Sequence, residues 1–205
     1  MASVAFWVLQ FRVFRPRLEL APTIARARMG HPQLRYRIKF HNKSRRDLYD
    51  FAVVIHCYMP DLVREGHEEI MRVADWTRPI LDGRKWLAHT IHLEEMPDRT
   101  RAAYGPYFPK KIQKQIENGE YLDVCEFLRI RPNTRLVIYV SVTDSLSGAR
   151  QMVTHEYSIN EIREGAFHER SFEHEESGDH PPPPSDRHET PRNQPRRWSG
   201  GPLRE

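Results

Sequence analysis

No run of apolar residues in this chain of 205 approaches the roughly 18 to 20 that a membrane-spanning helix requires, and the longest uncharged apolar stretch is only Val4 to Leu9. The sequence therefore encodes no helix able to cross a bilayer unaided. Cysteine is nearly absent: Cys57 and Cys125 stand alone, without a CxxC spacing. That excludes a disulfide scaffold and points to a reducing cytoplasm, with both residues as buried thiols. Met1-Ala2-Ser3 lacks the basic start of a secretory signal, so export is not expected. There is no G-x-S-x-G, P-loop, HExxH or G-x-G-x-x-G motif, and an enzyme would need a nucleophile with a poised base or a phosphate cradle. The reading is of a non-enzyme without cofactor. His89 and His92 are spaced like a ligand pair, but on a strand positions i and i+3 face opposite ways, so no metal is assigned to them. The histidines at 168, 174, 180 and 188 lie in or beside a tail where nothing holds a coordination geometry.

What the chain does have is charge, unevenly placed. Residues 1–46 carry eleven Arg or Lys against the single acid Glu19, a net of +10, whereas 47–168 come to −4 and 169–205 to −2. A basic leading segment ahead of a mildly acidic body suits an anionic surface, either a membrane leaflet or nucleic acid. Hydrophobic residues at 39%, charged residues at 29%, sixteen prolines and a mean hydropathy of −0.72 describe one folded core with tails rather than two full domains.

Along the chain, Ala2 to Phe14 is apolar and aromatic, then meets Arg15-Pro16-Arg17. Gln33 to His41 alternates, with Leu34, Tyr36, Ile38 and Phe40 on one face and Arg35, Arg37 and Lys39 on the other, the pattern of a half-buried strand. That alternation places Tyr36 in the core, which counts against its use as a base-stacking platform between the two arginines. After a polar, basic turn from Asn42 to Asp47, Tyr49 to Met59 is dense in apolar residues and predicts a strand buried on both faces, stopped by Pro60. Glu69 to Trp76 and Trp86 to Leu93 are shorter strands, and Leu81-Asp82-Gly83-Arg84 between them predicts a tight hairpin. Pro109 to Asn118 is a helix, since proline suits its start, Ile112 and Ile116 share a face, and Gly119 stops it. Arg135 to Thr143 and Gln151 to Tyr157 are strands around the turn Asp144 to Ala149, and Ser158 to Glu161 has capping-box spacing. From Glu169 onward no period survives. Pro181 to Pro184 and scattered charges leave nothing to bury, so 169–205 reads as disordered, with the prolines as a spacer or a partner-recruiting segment. Many short strands with one helix predict an antiparallel sandwich.

Taken in order, these pieces resemble the cytoplasmic domain of inward-rectifier potassium channels, particularly the prokaryotic branch. Phe11-Arg12-Val13-Phe14-Arg15-Pro16-Arg17 is similar to the junction where that family's inner pore helix ends. Leu34 to Asn42 resembles its first long cytoplasmic strand, continued by Asp47-Leu48-Tyr49-Asp50. Thr143 to Ala149, then Tyr157-Ser158-Ile159-Asn160-Glu161-Ile162 and Gly165, are similar to its hairpin, its tyrosine-to-glutamate turn and the glycine that follows. The likeness spans Phe11 to Phe167. It departs where the family's selectivity filter and both membrane helices have no counterpart, where His92 to Asp98 lacks the His-Pro-Ile-Asp element, and where Glu164 stands for a tryptophan.

The resemblance implies an all-β fold: an immunoglobulin-like antiparallel β-sandwich with one or two short helices and a disordered C-terminal tail. Residues 1–30 would form the end of an inner pore helix, 31–168 the cytoplasmic domain and 169–205 the tail. It implies a homotetramer at the inner face of the membrane, acting as a regulatory, gating module that does not conduct by itself, its pore being encoded upstream or by a separate subunit. Arg15 and Arg17 would meet anionic lipid headgroups, and Ser147, Gly148 and Ala149 would form the narrow cytoplasmic constriction. The rival readings are a freestanding β-sandwich that binds a protein or small ligand and, behind it, nucleic-acid binding through residues 1–46.

Overall fold

The computed structural model describes residues 16–28 and 33–175. They are mostly β. Among them, two principal sheets share one hydrophobic core. In the first sheet, β1 (Leu18–Leu20) and β2 (Ile24–Ala27) lie end to end along one edge of β3 (Arg35–Asn42), all antiparallel, and β6 (Trp86–Thr90) pairs with the other edge. The short β9 (Ile162–Glu164) runs parallel to β2. The second sheet is antiparallel throughout, in the order β5 (Glu68–Leu81), β4 (Leu48–Pro60), β7 (Arg135–Asp144), β8 (Arg150–Tyr157). The hairpin of β7 and β8 and the turn after it follow the expected spacing, and the Glu161 carboxylate accepts from the Ser158 N–H at 2.5 Å.

The inward faces follow the two-residue period of a strand. Tyr36, Ile38 and Phe40 of β3 meet Phe51, Val53, Ile55, Cys57 and Met59 of β4, all 2% exposed or less. Phe40 and Phe51 pack edge to face at 5.3 Å across the two sheets. Each such ring removed from water contributes about 1.5–3 kcal/mol. Cys57 and Cys125 are both free and buried, and burial pushes the Cys57 thiol pKa up.

Five expectations are corrected. β4 is not buried on both faces: Val54, His56 and Tyr58 on its outer side are only half-buried, because among the described residues no layer lies over them. The Asp82-Gly83 turn does not close a hairpin. β5 pairs with β4 and β6 pairs with β3, so the turn carries the chain from one sheet to the other. Leu18 to Ala27 belongs to the sheet rather than to a leading segment, with Leu18, Ala21, Ile24 and Ala25 buried. Lys39, assigned to a solvated face, is 3% exposed. Residues 169–175, placed by composition in the tail, turn back so that β11 (His174–Glu175) pairs with β10 (Ala166–Phe167), while the rest of that tail lies outside the described residues.

Between β6 and β7 the chain makes a helical excursion: α1 (Asp98–Tyr104), α2 (Lys110–Glu117) and α3 (Val124–Leu128). Ile112 and Ile116 bury one face of α2, as their i, i+4 spacing dictates, and Phe108 meets Phe127 at 5.5 Å. Asp123 caps α3 by accepting from the Glu126 N–H at 2.9 Å, and its other oxygen accepts from the Tyr36 hydroxyl at 2.8 Å. Burial, then the hydrogen bonds from its surroundings, push the Tyr36 pKa up. The helices thus close the end of the sandwich where β3 begins. The opposite end is left to turns.

Candidate functional site

The turns at that opposite end are organised by Asn42, the last residue of β3, whose side chain is fully buried. Its Nδ2 donates to the carbonyls of Arg46 at 2.9 Å, Leu81 at 3.2 Å and Asp82 at 3.1 Å, and its Oδ1 accepts from the Ser44 N–H at 2.9 Å. One amide therefore joins the 42–47 turn to the 81–85 turn. Two further bonds tighten the join: the Arg84 N–H donates to the Ser44 carbonyl at 2.8 Å, and the Gly83 N–H to Asp47 Oδ1 at 2.8 Å. The approach is so close at Gly83 that a Cβ there would lie 2.4 Å from the Arg45 carbonyl oxygen, which is why this position requires glycine. The positive φ of the turn, 55°, falls instead on Arg84.

Arg17, near the first described residues, joins the same cluster. The Arg17 N–H donates to Ser44 Oγ at 3.0 Å, and the Arg17 carbonyl accepts from the Lys43 N–H at 2.7 Å. The tip of the β7–β8 hairpin closes it from the other side. Asp144, 1% exposed, accepts on Oδ1 from the N–H of Leu146 at 3.0 Å and of Ser147 at 2.8 Å, and pairs through Oδ2 with Arg46 at 3.0 Å. The Ser145 N–H donates to the Asp47 carbonyl at 3.2 Å. Gly148 takes φ of +66°, and its N–H returns to the Asp144 carbonyl at 3.0 Å.

Two of the sequence-derived sites are therefore neighbours. Arg17 and the tip Ser147-Gly148-Ala149 sit at one end of the sandwich, linked through the 42–47 turn. Arg15 lies outside the described residues, as does the apolar stretch before it. What the sequence reading missed is that this end also collects Lys43, Arg45, Arg46, Arg84 and Lys85 from two turns far apart in the chain. The signal was there in the basic turn after Asn42, but its partner turn is identified only by strand pairing. Of these cations, Lys43 pairs with Glu19, Arg46 with Asp144 and Lys85 with Asp82. Arg17, Arg45 and Arg84 are exposed and have no ion-pair partner among the described residues. Three unpaired guanidinium groups on one rigid end can bind phosphate or carboxylate by forked hydrogen bonds.

The other chemistry-bearing residues resolve differently. His89 stacks on Trp76 with ring centroids 4.2 Å apart and planes at 11°, and burial first, then the neighbouring His92, pulls its pKa down to about 4. The His89 and His92 rings are 6.4 Å apart, and His92 Nδ1 lies 2.9 Å from Glu94 Oε1. Among the described residues no group of three or more potential ligands comes together to hold a metal. Tyr36 is 1% exposed with its hydroxyl committed to Asp123, so it offers no face to a nucleic-acid base.

No family model and no curated protein matches the chain. Among solved structures, the crystal structure of the β-D-glucoside glucohydrolase from Trichoderma reesei aligns with 72% of this chain at 10% identity and a TM-score of 0.25. The chain spans 18% of that protein's length, and a likeness of this degree carries no argument. Fold and site together define a mostly β, two-sheet domain with a cationic end. No helix among the described residues is long and apolar enough to cross a membrane.

Proposed function

We propose that the chain is a regulatory module of the kind found below the pore of inward-rectifier potassium channels: an immunoglobulin-like sandwich that assembles as a homotetramer. Its cationic end docks on anionic lipid headgroups, and Ser147, Gly148 and Ala149 face the axis of a pore made by other membrane-spanning segments. The observation that carries this reading is the convergence of Arg17, Arg45 and Arg84, all exposed and unpaired among the described residues, at the end where the chain leaves its apolar leading stretch. Each base held near an anionic leaflet contributes about 1 kcal/mol, so three supply on the order of a hundredfold in affinity. The hairpin tip at the same end supports the constriction role, because Gly148 at positive φ allows a tight turn without a side chain at its apex.

The test is flotation with phosphatidylserine-containing vesicles, together with sedimentation of the free protein. Arg17→Ala with Arg45→Ala and Arg84→Ala should reduce binding on the order of a hundredfold, and salt should weaken the wild type by screening. Equal binding of the triple variant, or equal binding to neutral vesicles, removes the lipid role. A monomer at high protein concentration favours the freestanding sandwich instead.

A further inference from the structure

We propose that residues 166–175 form a releasable strap over the outer face of the first sheet, with Lys39 as its clasp. Lys39 sits in the middle of β3 on the side away from the core, where its neighbours Arg35 and Arg37 remain partly exposed. No sheet covers Lys39. Its ammonium instead donates to the carbonyl of His168, to that of Glu169 at 3.0 Å and to that of Ser171 at 2.9 Å. Three acceptors match the three N–H donors of an ammonium group, and nothing but main chain is recognised. The rings of Trp86 and Phe167 complete the enclosure at 4.8 and 5.8 Å from Nζ. Burial pulls the Lys39 pKa down, and Glu169 and Glu175 oppose that by favouring the charged form.

Further contacts hold this segment in place. Phe172 meets Trp86 edge to face at 4.9 Å, His174 Nε2 lies 2.7 Å from Thr23 Oγ1, and the His168 N–H donates to the Glu173 carbonyl at 3.0 Å. At the root of the strap, Gly165 has φ of +104°, and a Cβ there would lie 2.0 Å from the Glu175 carbonyl oxygen, so the closed form requires glycine.

Two features make the contact reversible rather than part of the core. No residue of 166–175 belongs to the shared hydrophobic core, and every one is half-buried or exposed. A cavity of about 200 Å³ also remains beneath the strap, between Arg37, Lys39, Trp86, Ala88 and Phe167. Lifting the strap therefore breaks polar and ring contacts without opening the sandwich, and uncovers a cationic, aromatic face of Arg35, Arg37, Lys39 and Trp86. Segments held by few buried apolar contacts open far more often than the global fold does.

The test compares wild-type full-length chain with Lys39→Met, which keeps the length of the aliphatic stem and removes the ammonium, and with Phe172→Ala, which acts from the strap side alone. Amide hydrogen exchange across 166–175, and tryptic cleavage after the exposed Arg170, are each expected to rise at least tenfold in both variants. Protection in β4 and β7 should stay as in the wild type. Unchanged exchange and cleavage of the strap in either variant would overturn the clasp. Strap and core strands losing protection together would overturn reversibility, since the segment would then be integral to the cooperative fold.

Discussion

Asn42 offers a strong perturbation of the cationic end, because a single buried side chain meets four partners there: its two N–H groups reach three carbonyls, one N–H being shared, and its oxygen accepts from a fourth group. Replacing it by alanine removes all of these bonds and leaves the carbonyls of Arg46, Leu81 and Asp82 and the Ser44 N–H to find other partners. A net value of about 0.5–1.5 kcal/mol per bond gives a loss of about 3 kcal/mol for Asn42→Ala, allowing for water reaching some of these groups at the turn surface. For a domain of this size that corresponds to a Tm about 6–12 °C lower. Asn42→Asp is the sharper probe. It keeps the shape but sets a carboxylate oxygen against three carbonyl oxygens, so its loss should exceed that of alanine. Urea unfolding followed by circular dichroism at pH 7 measures both. An alanine variant within 0.5 kcal/mol of wild type, or an aspartate variant no worse than alanine, would refute the claim that this amide joins the two turns.

Gly83→Ala should destabilise by about 1–3 kcal/mol, because its Cβ meets the Arg45 backbone rather than a side chain that can move aside. The same urea titration reads it, and a neutral result would mean the turn has slack. His89 links stability to pH. Its folded-state pKa is lowered to about 4 against an ordinary value near 6.5, so between those values the unfolded chain binds the extra proton and stability falls as pH drops. His89→Phe, which keeps a ring against Trp76, should lose less stability than wild type between pH 7 and pH 5 in urea midpoints. A slope as steep as that of wild type would move the effect to another group, such as His56, whose pKa burial also lowers.

Several elements were legible in the sequence because they depend on neighbours a few residues away. The alternation from Leu34 to Phe40 picked out the core face of β3, the spacing of Ile112 and Ile116 gave the buried face of α2, and the run from Arg135 to Tyr157 gave a hairpin with its turn. Arg17 and the tip at Ser147 to Ala149 were likewise singled out by local pattern and by resemblance. Lys39 shows where that approach stops. By period it belongs with Arg35 and Arg37 on the outer face, and it does, yet it is buried, because a segment more than a hundred residues later supplies its acceptors.

Local pattern in this chain thus determined most of the long strands, the inward face of β3 and of α2, and where the excess of positive charge lies, but not the single buried face of β4 nor the short strands β1, β2 and β11. Only the tertiary structure decided that β6 leaves β5 for β3, that the 42–47 and 81–85 turns share one buried amide, that Arg17, Arg45 and Arg84 gather at one end, and that residues 166–175 close over Lys39. The physical reason is that a side chain's period reports the face it presents. The neighbour on that face is set by strand pairings and carbonyl positions between residues distant in the chain, which no local window contains.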